Sequence, residues 1–431
     1  MQIEEAAVRR VMRRLIPLLI VSYFVSYIDR ANIGVAALMM NKDLGITPEA
    51  FGFAAGIFFL GYFLFEVPSN MMLERFGARR WIARIMFSWG VISGAMAFVT
   101  GPTSFAIVRV LLGIAEAGFF PGVIFYLTIW FPAKYRARVL GYFSVALPLS
   151  SVIGAPLSAS LLGMNGIGGL AGWQWVFLVE AVPSILLAFV IWRHLTDRPE
   201  TADWLPANEK TWLIDTLASE RAAQEQKHRF TIGRAMFSPA VLALSVVYFG
   251  VAVNSYGLAF FLPQIVKAFD LTNLQTGFVS AIPFAVGSVA MVWWGRRSDR
   301  LNERRFHTAA ALTLAGVGMI GAALMPDPVL RLGSLCVAAA GTFASIPVFW
   351  TLPTAFLSGV AAAVGIAVIN SLGNVGGFVG PYAMGYFRQH TGSFSTGLIV
   401  VGALALLAAF IVLFVISRLQ PQAEPGQHSA V

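Results

Sequence analysis

Residues 70–80 read NMMLERFGARR, and residues 295–305 read GRRSDRLNERR. The two stretches match at an offset of 225. Glu74 pairs with Asp299, Arg75 with Arg300, Gly77 with Asn302, and Arg79 and Arg80 with Arg304 and Arg305. Pro156 and Pro381 keep the same offset, so that Gly154-Ala155-Pro156 mirrors Val379-Gly380-Pro381. A repeat whose period is about half of a 431-residue chain implies two halves of common pattern.

Both charged stretches lie between long apolar runs. The chain is 58% hydrophobic and 12% charged, with a mean hydropathy of +0.74, against roughly 25% charged residues in a soluble domain. This composition excludes a disordered chain, a disulfide scaffold and an ordinary soluble enzyme. A helix needs about 20 apolar residues to cross a bilayer core, and twelve runs qualify: 15–38, 51–73, 81–100, 103–127, 138–162, 173–194, 239–264, 275–295, 307–325, 331–357, 360–387 and 394–417. The short alternating segments of a β-barrel are not visible. The expected fold is therefore an all-α membrane protein of twelve transmembrane helices in two pseudo-symmetric six-helix halves. The first span is expected to stay in place, because no cleavable leader precedes it.

The basic residues give an orientation. With the N-terminus cytoplasmic, 24 Lys and Arg fall on the cytoplasmic side and 4 on the other, with Arg30 and Arg109 inside spans. Both termini are thus expected in the cytoplasm, and the net charge of +9 reads as topology rather than nucleic-acid binding. Some attraction to anionic lipid follows from the same charge. The expected domains are 1–194, a cytoplasmic linker 195–238, a second half 239–420 and a flexible tail 421–431. In the linker, Trp212, Leu213 and Leu217 share one face of an amphipathic helix. Cys336 is the one cysteine, and the five histidines show no ligand spacing, so no metal and no cofactor are expected.

With its acidic-Arg-x-x-x-Arg-Arg loop present twice, the chain resembles the major facilitator superfamily, with Asn70 and Glu74 in place of the usual Gly and Asp. The segments YIDRANIG (27–34), GYFLFEVPSN (61–70), RVLLGIAEAGFFPG (109–122), WFPAKYRAR (130–138), GWQWVFLVEAVPS (172–184) and YGLAFFLPQIVK (256–267) resemble its anion:cation symporter family. That family includes bacterial transporters of sugar acids, tartrate, phthalate and other aromatic acids. The resemblance covers nearly the whole chain. It implies a secondary transporter in a bacterial inner membrane, in which two halves rock about a site near the midplane. The loop residues Glu74, Arg75, Arg79, Asp299, Arg300 and Arg304 are then expected to latch one conformational state.

Ionisable groups inside spans are costly, so they are functional candidates by default. Asp29, Arg30, Glu66, Arg109, Glu116 and Glu180 all lie in the first half. The offset maps Asp29 to Asn254 and Arg30 to Ser255, so the second half keeps polarity but loses charge. Arg30 shares a helix face with Tyr27 and Tyr23. Arg109 and Glu116 lie two turns apart, with Gly113 leaving space between them. Arginine offers a planar fork suited to a carboxylate. The resemblance implies substrate binding by Arg30 and Arg109, proton coupling by Asp29 and Glu116, and hydroxyl donation by Tyr27 and Tyr62. The same arginines could instead neutralise Asp29 and Glu116 as structural ion pairs. Glu66 and Glu180 are expected to be structural.

In the second half Asn254, Tyr256, Trp350, Thr351, Thr354, Asn370, Ser371 and Asn374 stand out as polar or amphipathic groups. Asn254, Trp350 and Asn370 are taken as substrate contacts, although Asn often serves as interhelical glue. Leu147 stands where sugar-acid carriers present a polar group, which argues against a strongly hydroxylated substrate. The leading reading is import of an organic carboxylate with protons by a monomeric carrier in the lipid bilayer. The alternatives are an exporter, antiporter or facilitator of the same fold, a membrane enzyme, or a sensor. Ala155-Pro156 lacks the paired glycines that follow Gly-Pro in the superfamily's antiporters. No H-E-x-x-H, nucleophile elbow or P-loop is present, and no output module is visible.

Overall fold

A computed structural model describes residues 2–225, 238–353 and 359–416. Thr354, the last part of the linker (226–237) and the tail 421–431 lie outside the described residues. Fourteen α-helices form among them. The first half contains α1 (Gln2–Asp43), α2 (Pro48–Phe76), α3 (Ala78–Ala95), α4 (Pro102–Glu116), α5 (Phe119–Trp130), α6 (Ala133–Leu162) and α7 (Gly172–His194). The linker carries α8 (Ala207–Glu225). The second half contains α9 (Pro239–Lys267), α10 (Asn273–Leu301), α11 (Arg305–Leu324), α12 (Pro328–Phe349), α13 (Gly359–Thr391) and α14 (Ser395–Phe410).

Ten stretches of the described residues are long and apolar enough to cross a membrane. The other two expected spans correspond to α6, whose residues 146–162 are apolar, and to the 33-residue α13. Lipid cannot hydrogen-bond a backbone, so helices satisfy it internally. Their starts are fixed by side chains: Thr47, Ser238, Thr272 and Asp327 each accept from a backbone N–H of the first turn. Three of these caps are followed directly by proline, whose missing N–H costs nothing at that position.

Two boundaries differ from the expectation. The fourth span is not continuous: α4 ends at Glu116 and α5 starts at Phe119, joined through Ala117 and Gly118 at φ +83°. A Cβ on Gly118 would also meet the Ser69 hydroxyl at 2.4 Å. Apolarity alone could not reveal this break. The tenth span was expected to run to 357, but α12 stops at Phe349 with Trp350 as its cap.

The repeated loop turns through a residue of positive φ in both halves, although the two ψ angles, 149° and 36°, differ. Gly77 and Asn302, equivalent at the offset of 225, have φ of +87° and +47°. Asn302 is left-handed, a conformation asparagine tolerates, whereas the conformation of Gly77 is one that glycine alone adopts readily. The charged loop residues pair within their own half. The Arg79 backbone N–H donates to Asp197 Oδ1 at 2.7 Å, and the Arg79 guanidinium lies 3.8 Å from Oδ2. In the second half Arg304 donates to Asp299 at 2.5 Å and to Ser298 at 3.0 Å. Asp197, beyond α7, therefore supplies the acid that faces Arg79, rather than Glu74. Arg75 lies over the Phe76 ring at 5.6 Å. Glu74 and Arg300 are exposed.

The linker packs on the first half. Leu213 and Leu217 are buried, Glu209 accepts from Arg10 at 3.0 and 3.2 Å, and Glu220 accepts from the Ala133 N–H. Trp204 stacks on Trp130 at 5.5 Å.

The two halves meet most closely at the end opposite the basic loops. A Cβ on Gly52 would lie 2.4 Å from the Pro381 carbonyl, one on Gly34 2.9 Å from the Phe260 carbonyl, and one on Gly277 2.2 Å from Ala159 Cβ. Tyr382 of α13 also donates to Glu49 of α2 there, at 3.3 Å. At the basic end the described hydrogen bond between the halves runs from Asn370 Nδ2 to Glu66 Oε1, at 3.3 Å. The opposite end is shut by backbone contact. Gly52→Val should disfavour that closure by about 1–3 kcal/mol, the usual penalty of overpacking. A cysteine at position 382, in a Cys336→Ser background, should then label faster with a membrane-impermeant maleimide.

Candidate functional site

The site lies where α1 meets α9. Arg30 Nη1 donates to the Tyr256 hydroxyl at 3.1 Å, across the two halves. Its Nη2 forms a buried ion pair with Glu116. The guanidinium carbon stands 4.8 Å from the Tyr27 ring centroid, 5.1 Å from Phe58, 5.8 Å from Tyr62 and 5.9 Å from Phe59. The charge is thus held by one carboxylate, one hydroxyl and aromatic faces, each attractive to a cation. Arg30 Nε is buried without a partner.

A small cavity opens beside this arginine. Tyr27, Arg30 and Ala31 of α1 face Leu147 and Ser151 of α6. Ser255, Tyr256, Ala259 and Phe260 of α9 close it with Phe284 of α10 and Phe343 of α12. Its volume is about 20 Å³, little more than the 10–15 Å³ or so that one water needs. A carboxylate enters only if the halves separate. Leu147 lines the cavity, and Ser151, one turn further, lines it too. The wall is more hydroxylated than Leu147 alone suggested.

Several expected groups come together here. Tyr27, Arg30 and Glu116 are in contact, Tyr62 lies against the arginine, and Tyr23 donates to the Tyr27 hydroxyl at 3.3 Å. Others lie elsewhere. Arg109 is 0% exposed and spends its fork on the backbone of α2, with Nε to the Ala54 carbonyl at 3.3 Å and Nη2 to the Ala55 carbonyl at 3.1 Å. Gly113 permits this approach, because a Cβ there would lie 2.1 Å from the Phe58 carbonyl. Arg109 also lies over the Phe58 ring at 4.8 Å, so Phe58 separates the two arginines. Asp29 faces away, accepting from Trp89 Nε1 and Ser184 Oγ at 2.6 Å each.

Asn254 is outside the cavity wall. Its amide donates to the Gly250 and Val401 carbonyls, both at 3.0 Å, which ties α9 to α14. Trp350 packs edge-on against Tyr248 at 4.7 Å and is not among the cavity residues. Asn370 reaches Glu66 rather than the cavity. Glu66 thus bridges the halves, and its Oε2 remains buried without a partner.

Tyr256, Ser255 and Phe284 were not counted among the site residues from the sequence, yet the repeat locates them. Subtracting 225 maps Ser255 onto Arg30, Tyr256 onto Ala31 and Phe284 onto Phe59. Arg30 and Ala31 line the cavity together with their second-half equivalents. Phe59 packs against Tyr256 at 4.3 Å.

Residues 19–381 match the Major Facilitator Superfamily. A protein of Agrobacterium vitis, provisionally named a tartrate transporter, is 48% identical over 99% of each chain. A quinolone resistance transporter of Acinetobacter baumannii is 42% identical over 98% of each chain. The crystal structure of a D-xylose-proton symporter superposes with a TM-score of 0.76 at 15% identity, covering 94% of this chain and 97% of that one, and so shares the fold.

The Arg30–Glu116 pair yields a stability test. Arg30→Ala leaves a buried carboxylate without its cation and should cost about 3–5 kcal/mol. The double variant Arg30→Ala/Glu116→Ala should recover much of that. Thermal unfolding of the four proteins of this cycle in detergent measures the coupling.

Proposed function

The chain belongs to the Major Facilitator Superfamily, and on that premise we propose that this transporter imports an organic carboxylate together with protons by alternating access. The observation that carries the reading is Arg30, whose fork joins a first-half carboxylate to a second-half hydroxyl beside a cavity between the halves. Family membership makes the chain a membrane transporter rather than an enzyme. The tartrate assignment of the Agrobacterium protein supports a small hydroxylated dicarboxylate as substrate.

The proposed cycle follows from competition for one guanidinium. In the empty protein Glu116 occupies Arg30. A substrate carboxylate takes that place once Glu116 accepts a proton, so proton and anion bind with mutual help. Tyr27, Tyr256, Ser151 and Ser255 offer hydroxyls to the substrate, and Tyr62 completes the aromatic cage around the guanidinium. Arg109 shapes the wall by holding α2 near Phe58, and Asp29, next to Arg30 on α1, is a second carboxyl available to a proton. On the positive-inside tally, the basic loops and both termini face the cytoplasm of a bacterium.

Export is the second reading, favoured by the 42% identity to the quinolone resistance transporter. The region where antiporters carry paired glycines is used differently here, because Ala155 and Ala159 pack against Gly277. Proteoliposomes discriminate the two readings. Uptake of labelled L-tartrate should accumulate when the outside is acidic and collapse with a protonophore. Arg30→Gln should abolish it. Tartrate at about 100 times its Kd should stabilise the purified wild type by about 2.7 kcal/mol, and the variant not at all. Extrusion of a fluorescent quinolone against its gradient, without tartrate uptake, would establish export instead.

A further inference from the structure

The first half holds a second polar cluster, among α1, α3, α6 and α7, which does not border the cavity. Asp29 is bonded there to Trp89 and Ser184. One turn from Ser184 along α7, Glu180 Oε1 accepts from Ser158 Oγ at 2.7 Å. Asn32, one turn from Asp29 along α1, faces the Glu180 carboxylate. It is 2% exposed, and its Oδ1 has no hydrogen-bond partner. Asp29 Oδ1 and Glu180 Oε2 are also buried without partners.

Underpaired amide and carboxyl oxygens gathered in one region are unusual, because buried polar groups are ordinarily paired. An amide offering both a donor and an acceptor beside two carboxyls suits a bridging water. The charged groups around the cluster are acidic. Glu180 lies within reach of the charge of Asp29, and Asp29 of that of Glu116, which is itself paired with Arg30. From α3 and α6 the facing groups are Trp89, Ser93 and Ser158. Among the described residues neither Asp29 nor Glu180 forms a salt bridge.

The groups are also ordered by depth. Ser158 lies four residues from the end of α6, Glu180 eight from the start of α7, and Asn32 and Asp29 eleven and fourteen from the end of α1. At 1.5 Å per residue these are roughly 6, 12, 16 and 21 Å from the end opposite the basic loops. Together they make a ladder from that face toward the level of the Arg30 site.

We propose that Glu180 is a further proton carrier of the transporter, upstream of Asp29. A proton from the face opposite the basic loops binds Glu180 Oε2 and passes to Asp29 Oδ1 through water held by Asn32. Only the proton moves, from water to one carboxylate and then to the next. This inference rests on the proton-symport reading above and adds the route by which Asp29 is loaded.

The test uses the full-length protein in proteoliposomes, with L-tartrate as the probe. Glu180→Gln should keep tartrate counterflow at equal pH near the wild-type rate, since the residue does not touch the cavity. Accumulation driven by a pH gradient should fall by about 5–150-fold, the usual range of coupling effects. Difference infrared spectra between high and low pH, which need no substrate, should lose one carboxylic-acid band in Glu180→Gln. Ser158→Ala, which keeps the carboxyl, should shift that band. Unchanged accumulation together with an unchanged spectrum would make Glu180 structural and overturn the proposal while leaving symport intact. Wild-type exchange that ignores the pH gradient would overturn the symport reading, and this inference with it.

Discussion

A guanidinium in the middle of a bilayer has to be neutralised, and the arrangement around Arg30 follows from that requirement. Its charge is shared among Glu116 at the broken fourth span, Tyr256 of the other half, and four aromatic faces. Apart from Tyr27, one turn away on α1, these partners are distant in sequence, so the helices that carry them must converge. The ion pair is weak evidence of stability, because desolvation offsets most of the attraction. It is better evidence of specificity, since it leaves one cation whose partner can be exchanged.

Small residues set how closely the helices converge. At Gly34, Gly52, Gly113 and Gly277 a methyl group would collide with a neighbouring backbone or side chain. Membrane helices gain little from hydrophobic burial against one another, and close backbone packing supplies the attraction instead. Three of these glycines lie between the halves at one end, so that end closes backbone to backbone. At the other end Glu66 and Asn370 meet through long polar side chains, a contact that separates with less loss of packing.

Much of this was legible in the sequence. The offset of 225 gave the two halves, and it holds down to the positive φ shared by Gly77 and Asn302. Helical spacing put Tyr27 and Arg30 on one face, and the family resemblance put Leu147 at the cavity. What spacing could not give is the rotation of one helix against another. Two arginines and two carboxyls of the same half admit several pairings, and only the assembled helices show Glu116 with Arg30 while Arg109 takes backbone carbonyls. Asn254 looked like a site residue by its symmetry with Asp29. Both turn away from the cavity, so the symmetry holds in the structure while the cavity contact expected of Asn254 is not made. The break at Gly118 was invisible for a related reason: an apolar run has the same composition whether or not its backbone is continuous.

That break gives the fourth span a joint. A straight rod passes any displacement on as translation along its length. Two segments meeting at a left-handed glycine can change their mutual angle instead, with Glu116 at the pivot and Trp130 at the far tip, stacked on Trp204 of the linker. A change of partner at Glu116 is therefore made at the joint itself, and the segment beyond it reaches the linker through Trp130 and Trp204.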